Sequence, residues 1–161
     1  MADSSSKILS ANHVRSGVIL LADDDPDDVD MMRRALAKNQ LADELYTVGD
    51  GEELLDYLLR RGKFEPPGVA PMPALILLDL NMPKMDGREA LREIKLDPRL
   101  TSIPVVVMTT STAQQDVARA YELGTNSFIS KPITLSELVE VTRTLGLYWF
   151  QTVRLPEVAR P

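Results

Sequence analysis

Three apolar runs and two shorter, partly polar runs alternate with amphipathic segments along this chain, and this alternation predicts its architecture. A continuous apolar run bounded by turn residues is typical of a buried strand in a parallel sheet. The segments between the runs carry apolar residues at helical spacing, as Val29, Met32 and Leu36 do. Strands that alternate with helices form βαβ units, so we expect an α/β fold with a doubly wound, five-stranded parallel sheet. The predicted strands are 18–22, 45–48, 74–78, 103–108 and 127–130.

Helix boundaries are marked by capping residues and by glycine or proline. Asp25 suits an N-cap and Pro26 the first helical position, which predicts a helix to about Lys38. Gly124 is typical of a helix end, and the Pro- and Gly-rich segment 62–73 predicts a loop. Pairs of a capping residue and a Glu or Gln three positions later predict further helix starts: Asp50 with Glu53, Ser111 with Gln114, and Thr134 with Glu137.

The length suits one domain with a well-formed core. The 161 residues divide into a polar arm at 1–16, predicted to be flexible, a folded domain at 17–150, and a tail at 151–161. No apolar run approaches the roughly 20 residues that span a bilayer, so we expect no membrane segment.

Composition excludes several chemistries. The chain has no cysteine, which excludes disulfides, thiolate metal ligands and cysteine nucleophiles and is typical of a cytoplasmic protein. The only histidine, His13, lies in the polar arm, so a Ser-His-Asp mechanism is not expected. A formal net charge of -6 argues against binding to nucleic acid.

Carboxylates follow two of the predicted strands. Asp23 and Asp24 come directly after the first strand, and Asp79 comes directly after the third. Doubly wound folds bind ligands at the carboxyl edge of the sheet, where neighbouring strands would bring these three carboxylates into one pocket. Crowded like charges favour a hard divalent cation such as Mg²⁺. The other acidic residues here are better explained as a helix start favoured by the helix dipole: Asp25, Asp27 and Asp28.

A hydroxyl and an ammonium group follow the remaining strands at this edge. Thr109 ends the fourth strand, and Lys131 follows the fifth. Taken singly, Thr109 fits a strand end or a helix cap, and Lys131 fits a solvated surface lysine. Together the four strand ends suit the transfer of a phosphoryl group to Asp79, with the carboxylate as nucleophile and the metal and Lys131 screening the phosphoryl oxygens.

These residues, in this order, resemble the receiver domain of bacterial two-component response regulators. The stretches that carry the resemblance are VILLADDDP, LILLDLNMPKMDG, IPVVVMTTS and FISKPI, within about residues 17–150. The resemblance implies a flavodoxin-like (βα)5 receiver fold, a phosphoryl group received from a sensor histidine kinase, and a conformational signal to a partner protein. It implies no enzymatic activity beyond self-phosphorylation and autodephosphorylation.

The resemblance also implies a role for each site residue. Asp79 is the implied phospho-acceptor. The implied ligands of Mg²⁺ are the carboxylates of Asp24, of Asp23 (partly through water) and of Asp79, with the backbone carbonyl of Asn81. The implied responders are Thr109, which swings to hold the phosphoryl group, Lys131, which pairs with Asp79 or its phosphoryl oxygens, and Phe128, at the position of an aromatic switch. A core residue of a short strand is the alternative for Phe128.

A narrower resemblance points to the stand-alone regulators that are paired with bacterial phytochromes. The long loop before the third strand, DGREALREIK, IPVVVMTTS and the ending LYWFQTVRLP carry it. In that subgroup the acidic pair is often Glu-Asp followed by Asn, whereas this chain has Asp23, Asp24 and Asp25, which adds negative charge beside the metal. The residues after Pro132 suffice for one helix and a tail, so no output domain is expected, and the signal would pass to a separate protein.

The end of the last predicted helix is aromatic. Tyr148, Trp149 and Phe150 follow one another there. One interpretation is that they cap the domain's own core. The other, favoured because aromatic residues are enriched at interfaces, is a homodimer through this segment.

Three other functions compete with the receiver interpretation. A phosphatase of the haloacid dehalogenase type also uses an aspartyl nucleophile, but it needs Asp-x-Asp near the first strand, and here Asp79-Leu80-Asn81 follows the third. A phosphorylation-independent interaction module conflicts with the intact set of site residues. A nucleotide-binding flavodoxin-like protein lacks support, because no glycine-rich loop follows the first strand.

Overall fold

The computed structural model describes residues 17–41, 44–110 and 113–156. The strands are β1 (Ile19–Ala22), β2 (Leu45–Val48), β3 (Leu75–Leu78), β4 (Val105–Thr109) and β5 (Ser127–Ser130). All pairs are parallel, in the order β2-β1-β3-β4-β5. The sheet grows from β1 in both directions, as it does in doubly wound folds, so the predicted flavodoxin-like architecture is confirmed.

Helices cover both faces of this sheet. Within the described residues they are α1 (Pro26–Lys38), α2 (Gly51–Leu59), α3 (Gly87–Leu96), α4 (Gln114–Leu123) and α5 (Leu135–Gly146). One hydrophobic cluster joins α2, α3 and α4 to one face, and a second joins α1 and α5 to the other. Alternate residues of β1 point to opposite faces of the sheet. Leu20 and Ala22 belong to the first cluster, and Ile19 and Leu21 belong to the second. Because both faces are covered, the central strands β1 and β3 are apolar and buried throughout.

Several predicted caps are present. The Asp25 side chain accepts a hydrogen bond from the N–H two residues on, and Pro26 takes the first helical position of α1. The side chains of Asp50 and Thr134 each accept from the N–H three residues on, at the starts of α2 and α5. Gly124 ends α4 with φ at 104°, a left-handed conformation that favours glycine.

Several boundaries differ from the prediction, most of them by one residue. The fourth strand begins at Val105 rather than Ile103, because the Ile103 N–H bonds within the preceding turn, to the Leu100 carbonyl at 3.0 Å. The predicted loop 62–73 contains one turn of 3₁₀ helix, Gly62–Phe64. The cap predicted at Ser111 lies outside the described residues.

A π-helical segment, Leu147–Thr152, continues α5. Its wide turns are closed by bonds such as that from the Val153 N–H to the Tyr148 carbonyl, at 2.9 Å. Trp149 and Phe150 are both buried in the second hydrophobic cluster, whereas Tyr148 is 50% exposed. The segment therefore caps the chain's own core and still presents an aromatic side chain at the surface.

A buried polar contact ties α1 to α5. Asn39 Nδ2, just past the end of α1, donates to Thr142 Oγ1 at 2.8 Å and to the Val139 carbonyl at 2.9 Å. Thr142 is fully buried, and its hydroxyl donates to the Leu138 carbonyl at 2.8 Å. Because an unsatisfied buried polar group costs about 1–3 kcal/mol, this pairing favours one packing of the two helices.

The helices were also compared with the length and hydropathy of membrane-spanning helices. Among the described residues, none is both long enough and apolar enough to cross a membrane.

Candidate functional site

The carboxyl edge of the sheet carries the candidate site. The strands β1, β3, β4 and β5 are consecutive neighbours and run parallel, so their C-terminal ends lie at one edge. The side chains at these ends are Asp23 after β1, Asp79 after β3, Thr109 at the end of β4 and Lys131 after β5. The structure brings all four together.

The Lys131 ammonium group lies at the centre of the site. Its Nζ is 2.8 Å from Asp23 Oδ2, 2.8 Å from Asp28 Oδ2 and 3.0 Å from Asp79 Oδ2. An ammonium group has three N–H donors, so each carboxylate receives one of them. The Lys131 side chain is 11% exposed and that of Asp23 is 3% exposed, so water screens this attraction weakly.

The Asp79 carboxylate is held through both oxygens. Oδ1 accepts from the Asn81 N–H at 3.1 Å and from the Thr109 hydroxyl at 3.0 Å, while Oδ2 accepts from Lys131. The Asn81 side-chain amide donates to the Thr109 hydroxyl at 3.3 Å. Groups from three strand ends thus set the direction of the carboxylate, as a positioned nucleophile requires.

Burial and the hydrogen bonds of the Lys131 ammonium group shift the pKa values of two site residues. Burial raises the pKa of Asp23 above its ordinary value, and the hydrogen bond from Lys131 opposes this only in part. Burial alone would lower the pKa of Lys131, but hydrogen bonds to three carboxylates outweigh it and raise that pKa above its ordinary value. Lys131 is therefore charged at physiological pH, and one ammonium group faces an excess of carboxylates.

The donor set at this edge fits a divalent cation. Asp23, Asp24 and Asp79 each offer a carboxylate oxygen, and these oxygens lie within 4.8 Å of one another. Carboxylate oxygens are the ligands that hard cations such as Mg²⁺ and Mn²⁺ prefer. Asp24 is exposed at the mouth of the cluster, so a cation can reach it from solvent.

Comparison with known proteins identifies the family. The model of the response regulator receiver domain matches residues 19–143. The chain belongs to the response regulator receiver family. Response regulator Rcp1 of Synechocystis is 41% identical over 139 residues, which are 86% of this chain and 92% of that protein. Receiver domains take a phosphoryl group on an aspartate in two-component signalling, and they bind a divalent metal.

Solved structures of similar regulators share the fold. The phosphorylated cyanobacterial phytochrome response regulator RcpA superposes with a TM-score of 0.80 at 41% identity, over 88% of this chain and 99% of that one. The Mn²⁺-bound form of Rcp1 superposes with a TM-score of 0.79 at 40% identity, over the same shares of the two chains. The haloacid-dehalogenase and nucleotide-binding alternatives are therefore not favoured.

Two glycines allow the loop after Asp79 to pack tightly in this response regulator. The Gly87 N–H donates to the Leu80 carbonyl at 2.9 Å, and a Cβ atom on Gly87 would clash with the Asp79 carbonyl. Gly51 at the start of α2 donates to the Met85 carbonyl at 2.8 Å, in a similarly close approach. These two hydrogen bonds hold the loop 79–87, which begins with the candidate acceptor.

Gly87→Ala is expected to lower the free energy of unfolding by about 2 kcal/mol, within the range for overpacked sites. The added methyl group meets backbone, which cannot rotate away, so Asp79 should shift and phosphorylation should slow. Urea unfolding and phosphorylation by acetyl phosphate measure the two effects. Gly49→Ala is the matched control, because a Cβ there meets only Glu53 Oε2 at 3.8 Å. Equal stability of the two variants would contradict the prediction.

The regulator's predicted switch residues lie on adjacent strands. Thr109 is fully buried, and its hydroxyl donates a hydrogen bond to Asp79. In the predicted switch, this hydroxyl would donate to a phosphoryl oxygen on Asp79 instead. Phe128 is half-buried in β5 and packs against the first hydrophobic cluster. Its N–H donates to the Tyr121 hydroxyl of α4 at 3.2 Å. The switch role of Thr109 and Phe128 stays a prediction.

Two contacts of the site are not evident from the sequence. One is the bond from the Asn81 side chain to Thr109, since the resemblance implied only the backbone carbonyl of Asn81. The other is the ion pair between Asp28 and Lys131. Interpreting Asp28 as part of an acidic helix start is therefore incomplete. Its position in the first turn of α1 was the only available signal, and several neighbouring residues are equally acidic.

Proposed function

We propose that this response regulator accepts a phosphoryl group on Asp79 from a sensor histidine kinase. The observation that carries the proposal is the Asp79 carboxylate, which lies at the ligand-binding edge of the sheet under direct hydrogen bonds from Thr109 and Lys131. An Asp79 oxygen forms the new bond to phosphorus as the bond between phosphorus and the kinase imidazole breaks. Positioning and charge screening do most of the catalysis in such transfers.

The proposed metal is Mg²⁺, held by the carboxylates of Asp23, Asp24 and Asp79 and the backbone carbonyl of Asn81. When bound, it supplies a positive charge that screens the phosphoryl oxygens. Lys131 supplies a second positive charge, because its ammonium group lies 3.0 Å from Asp79 Oδ2. The excess of carboxylates around one ammonium group supports this assignment.

The proposed output is a change in protein contacts. Thr109 follows the new phosphoryl oxygens, and Phe128 responds on the neighbouring strand, so the surface of α4, β5 and α5 changes between two states. A separate downstream protein reads this change, and activity beyond self-phosphorylation and autodephosphorylation is not proposed. The receiver unit is 17–150, with 1–16 as an arm and 151–161 as a tail.

The proposed kinase is a bacteriophytochrome in the cytoplasm. Support comes from relatives described as phytochrome response regulators, among them RcpA and AtBRR, which is 42% identical. The competing proposal is a receiver-like module that binds partners without phosphorylation. The direct contacts among Asp79, Thr109 and Lys131 favour a working acceptor over that alternative.

Chemical mapping tests the acceptor without a mutation. The protein is incubated with acetyl phosphate and Mg²⁺, reduced with borohydride, digested and analysed by mass spectrometry. An acyl phosphate reduces to homoserine, so homoserine is expected at position 79 and only when both acetyl phosphate and Mg²⁺ are present. Homoserine at another aspartate would refute the acceptor, and no conversion anywhere would favour the phosphorylation-independent module.

A homodimer through the π-helical segment is the proposed assembly. Of the three aromatic residues predicted at the interface, Tyr148 is exposed, while Trp149 and Phe150 support it from the chain's own core. Leu147 beside it is 44% exposed. Tyrosine is one of the residue types enriched among the side chains that dominate binding at interfaces.

Tyr148→Ser is expected to raise the dimer dissociation constant at least about tenfold, the scale of one interface anchor, without unfolding the chain. Light scattering at micromolar concentration, with circular dichroism for the fold, makes the measurement. Tyr121→Ser removes a tyrosine that is 51% exposed on α4 and should leave the dimer intact. A wild-type protein that is already monomeric would disprove the interface.

A further inference from the structure

We propose that Asp28 is a positioning residue that holds the Lys131 ammonium group in place during phosphorylation of Asp79. The inference rests on the proposed function of Asp79 and extends it to a residue of α1. Asp28 makes no contact with the acceptor in this structure that would make it catalytic. It acts through Lys131.

The donors of Lys131 are fully shared among its partners. Lys131 has three N–H groups, and its three partners are Asp23, Asp28 and Asp79. The contact with Asp28, at 2.8 Å, is as short as that with Asp23 and shorter than that with Asp79. Asp28 is therefore a full member of the lysine's coordination and holds one of its three donors.

The three partners of Lys131 have different roles during the reaction. Asp79 is the acceptor, and its carboxylate changes chemically when the phosphoryl group arrives. Asp23 belongs, with Asp24 and Asp79, to the group of carboxylates spaced to hold a cation. Asp28 lies outside that group. It is the one of the three partners that neither the cation nor the phosphoryl group engages, so it can keep hold of Lys131 throughout.

Asp28 also lies on a well-supported helix. It lies in the first turn of α1, where Asp25 caps the helix and Pro26 restricts the backbone. The positive end of the helix dipole favours its charge. At the other end of α1, Asn39 is tied to Thr142 of α5, the helix that follows Lys131. A carboxylate on such a support orients its partner at a small entropic cost.

The same carboxylate also adds negative charge to a site that receives a phosphoryl group. If repulsion dominated, removing Asp28 would accelerate phosphorylation. If holding Lys131 dominates, as proposed, removal slows it. The sign of the effect therefore decides between the two.

The first test uses metal-free, unphosphorylated full-length protein labelled with ¹⁵N-lysine. Ammonium protons are observable by NMR when hydrogen bonds slow their exchange with solvent, so Lys131 should give a protected signal. Asp28→Ala should weaken or abolish that signal. Asp28→Asn should restore much of it, because the amide oxygen still accepts a hydrogen bond. Asp27→Ala, an exposed carboxylate in the same helical turn, should leave it unchanged. A Lys131 signal that is unaffected in Asp28→Ala would overturn the proposal.

The second test measures the rate constant of phosphorylation by acetyl phosphate at saturating Mg²⁺. Asp28→Ala should slow it about 5- to 10-fold, the scale of one lost hydrogen bond, with partial recovery in Asp28→Asn. A rate equal to or faster than that of wild type would overturn the proposal. If wild type takes up no phosphoryl group at all, the proposed function of Asp79 fails instead. The NMR result then still decides whether Asp28 holds Lys131.

Discussion

Asp79→Asn is expected to abolish phosphorylation by acetyl phosphate, with a loss of more than about 1,000-fold, or about 4 kcal/mol in the barrier. The amide is nearly isosteric with the carboxylate, so its oxygen can still accept from the Asn81 N–H and the Thr109 hydroxyl. Its nitrogen, however, is a donor that faces Lys131, and the amide is a poor nucleophile. The fold should survive while the chemistry is lost. Intact mass after incubation with acetyl phosphate and Mg²⁺ makes the measurement.

Asp86→Asn is the matched control in the same loop. Asp86 caps α3, and its Oδ1 accepts from the N–H groups of Arg88 and Glu89. Asparagine caps a helix about as well as aspartate does, so this variant should keep its fold and its phosphorylation. A phosphoryl group found on the Asp79→Asn variant would show that another residue is the acceptor.

Lys131→Met is expected to lower the free energy of unfolding by about 3 kcal/mol in metal-free buffer, the scale of a broken buried ion pair. The substitution leaves Asp23, Asp28 and Asp79 without their shared cation, and their mutual repulsion then opposes folding. Mg²⁺ should recover part of the loss, because it can bind two of these carboxylates, Asp23 and Asp79. Phosphorylation should slow about tenfold, since one of the two charges that screen the phosphoryl oxygens is gone.

The loss should also depend on pH. Burial already raises the pKa of Asp23, and removing the hydrogen bond from Lys131 raises that pKa further. The folded variant then binds more protons than the unfolded chain does, so its stability falls as pH rises through this window above the ordinary pKa. Urea unfolding at pH 5 and pH 8 measures this dependence, with a larger deficit relative to wild type at pH 8.

Lys84→Met is the control for this substitution. Lys84 lies in the loop after Asp79, is 65% exposed, and is 3.8 Å from Asp50 Oδ2. Exposed pairs of this kind contribute little, so the variant should match wild type in stability and phosphorylation. If Lys131→Met were as stable as Lys84→Met, the folded protein would tolerate the three carboxylates without the Lys131 ammonium group.

Much of the fold and the core of the site were predictable from local patterns. The apolar runs, the caps at Asp25, Asp50 and Thr134, and the turn at Gly124 act over a few residues each, so their physics is contained in neighbouring positions. Parallel strands then force their C-terminal ends to one edge. The order of polar residues after those strands therefore determined that Asp23, Asp79, Thr109 and Lys131 would meet.

Other features depended on contacts between distant segments. The sequence allowed Trp149 and Phe150 to be either core or interface, and the structure buries both in the chain's own core. Their part in a dimer interface stays a prediction. The need for glycine at position 87 was likewise decided by how closely α3 approaches the Asp79 backbone. Neither result has a local signature, because each depends on where a remote surface lies.

The sequence by itself determined which chemical groups stand at each strand end, because strand periodicity and capping are local properties. Only the tertiary structure decided how the Lys131 ammonium divides its three donors. Asp28 is one of several acidic residues at the start of α1, and its sequence context does not distinguish it from Asp27. The rotation of α1 against the sheet edge, set by packing against α5, turns Asp28 toward Lys131 and leaves Asp27 exposed. That choice rests on the packing of a whole helix, which no short stretch of sequence encodes.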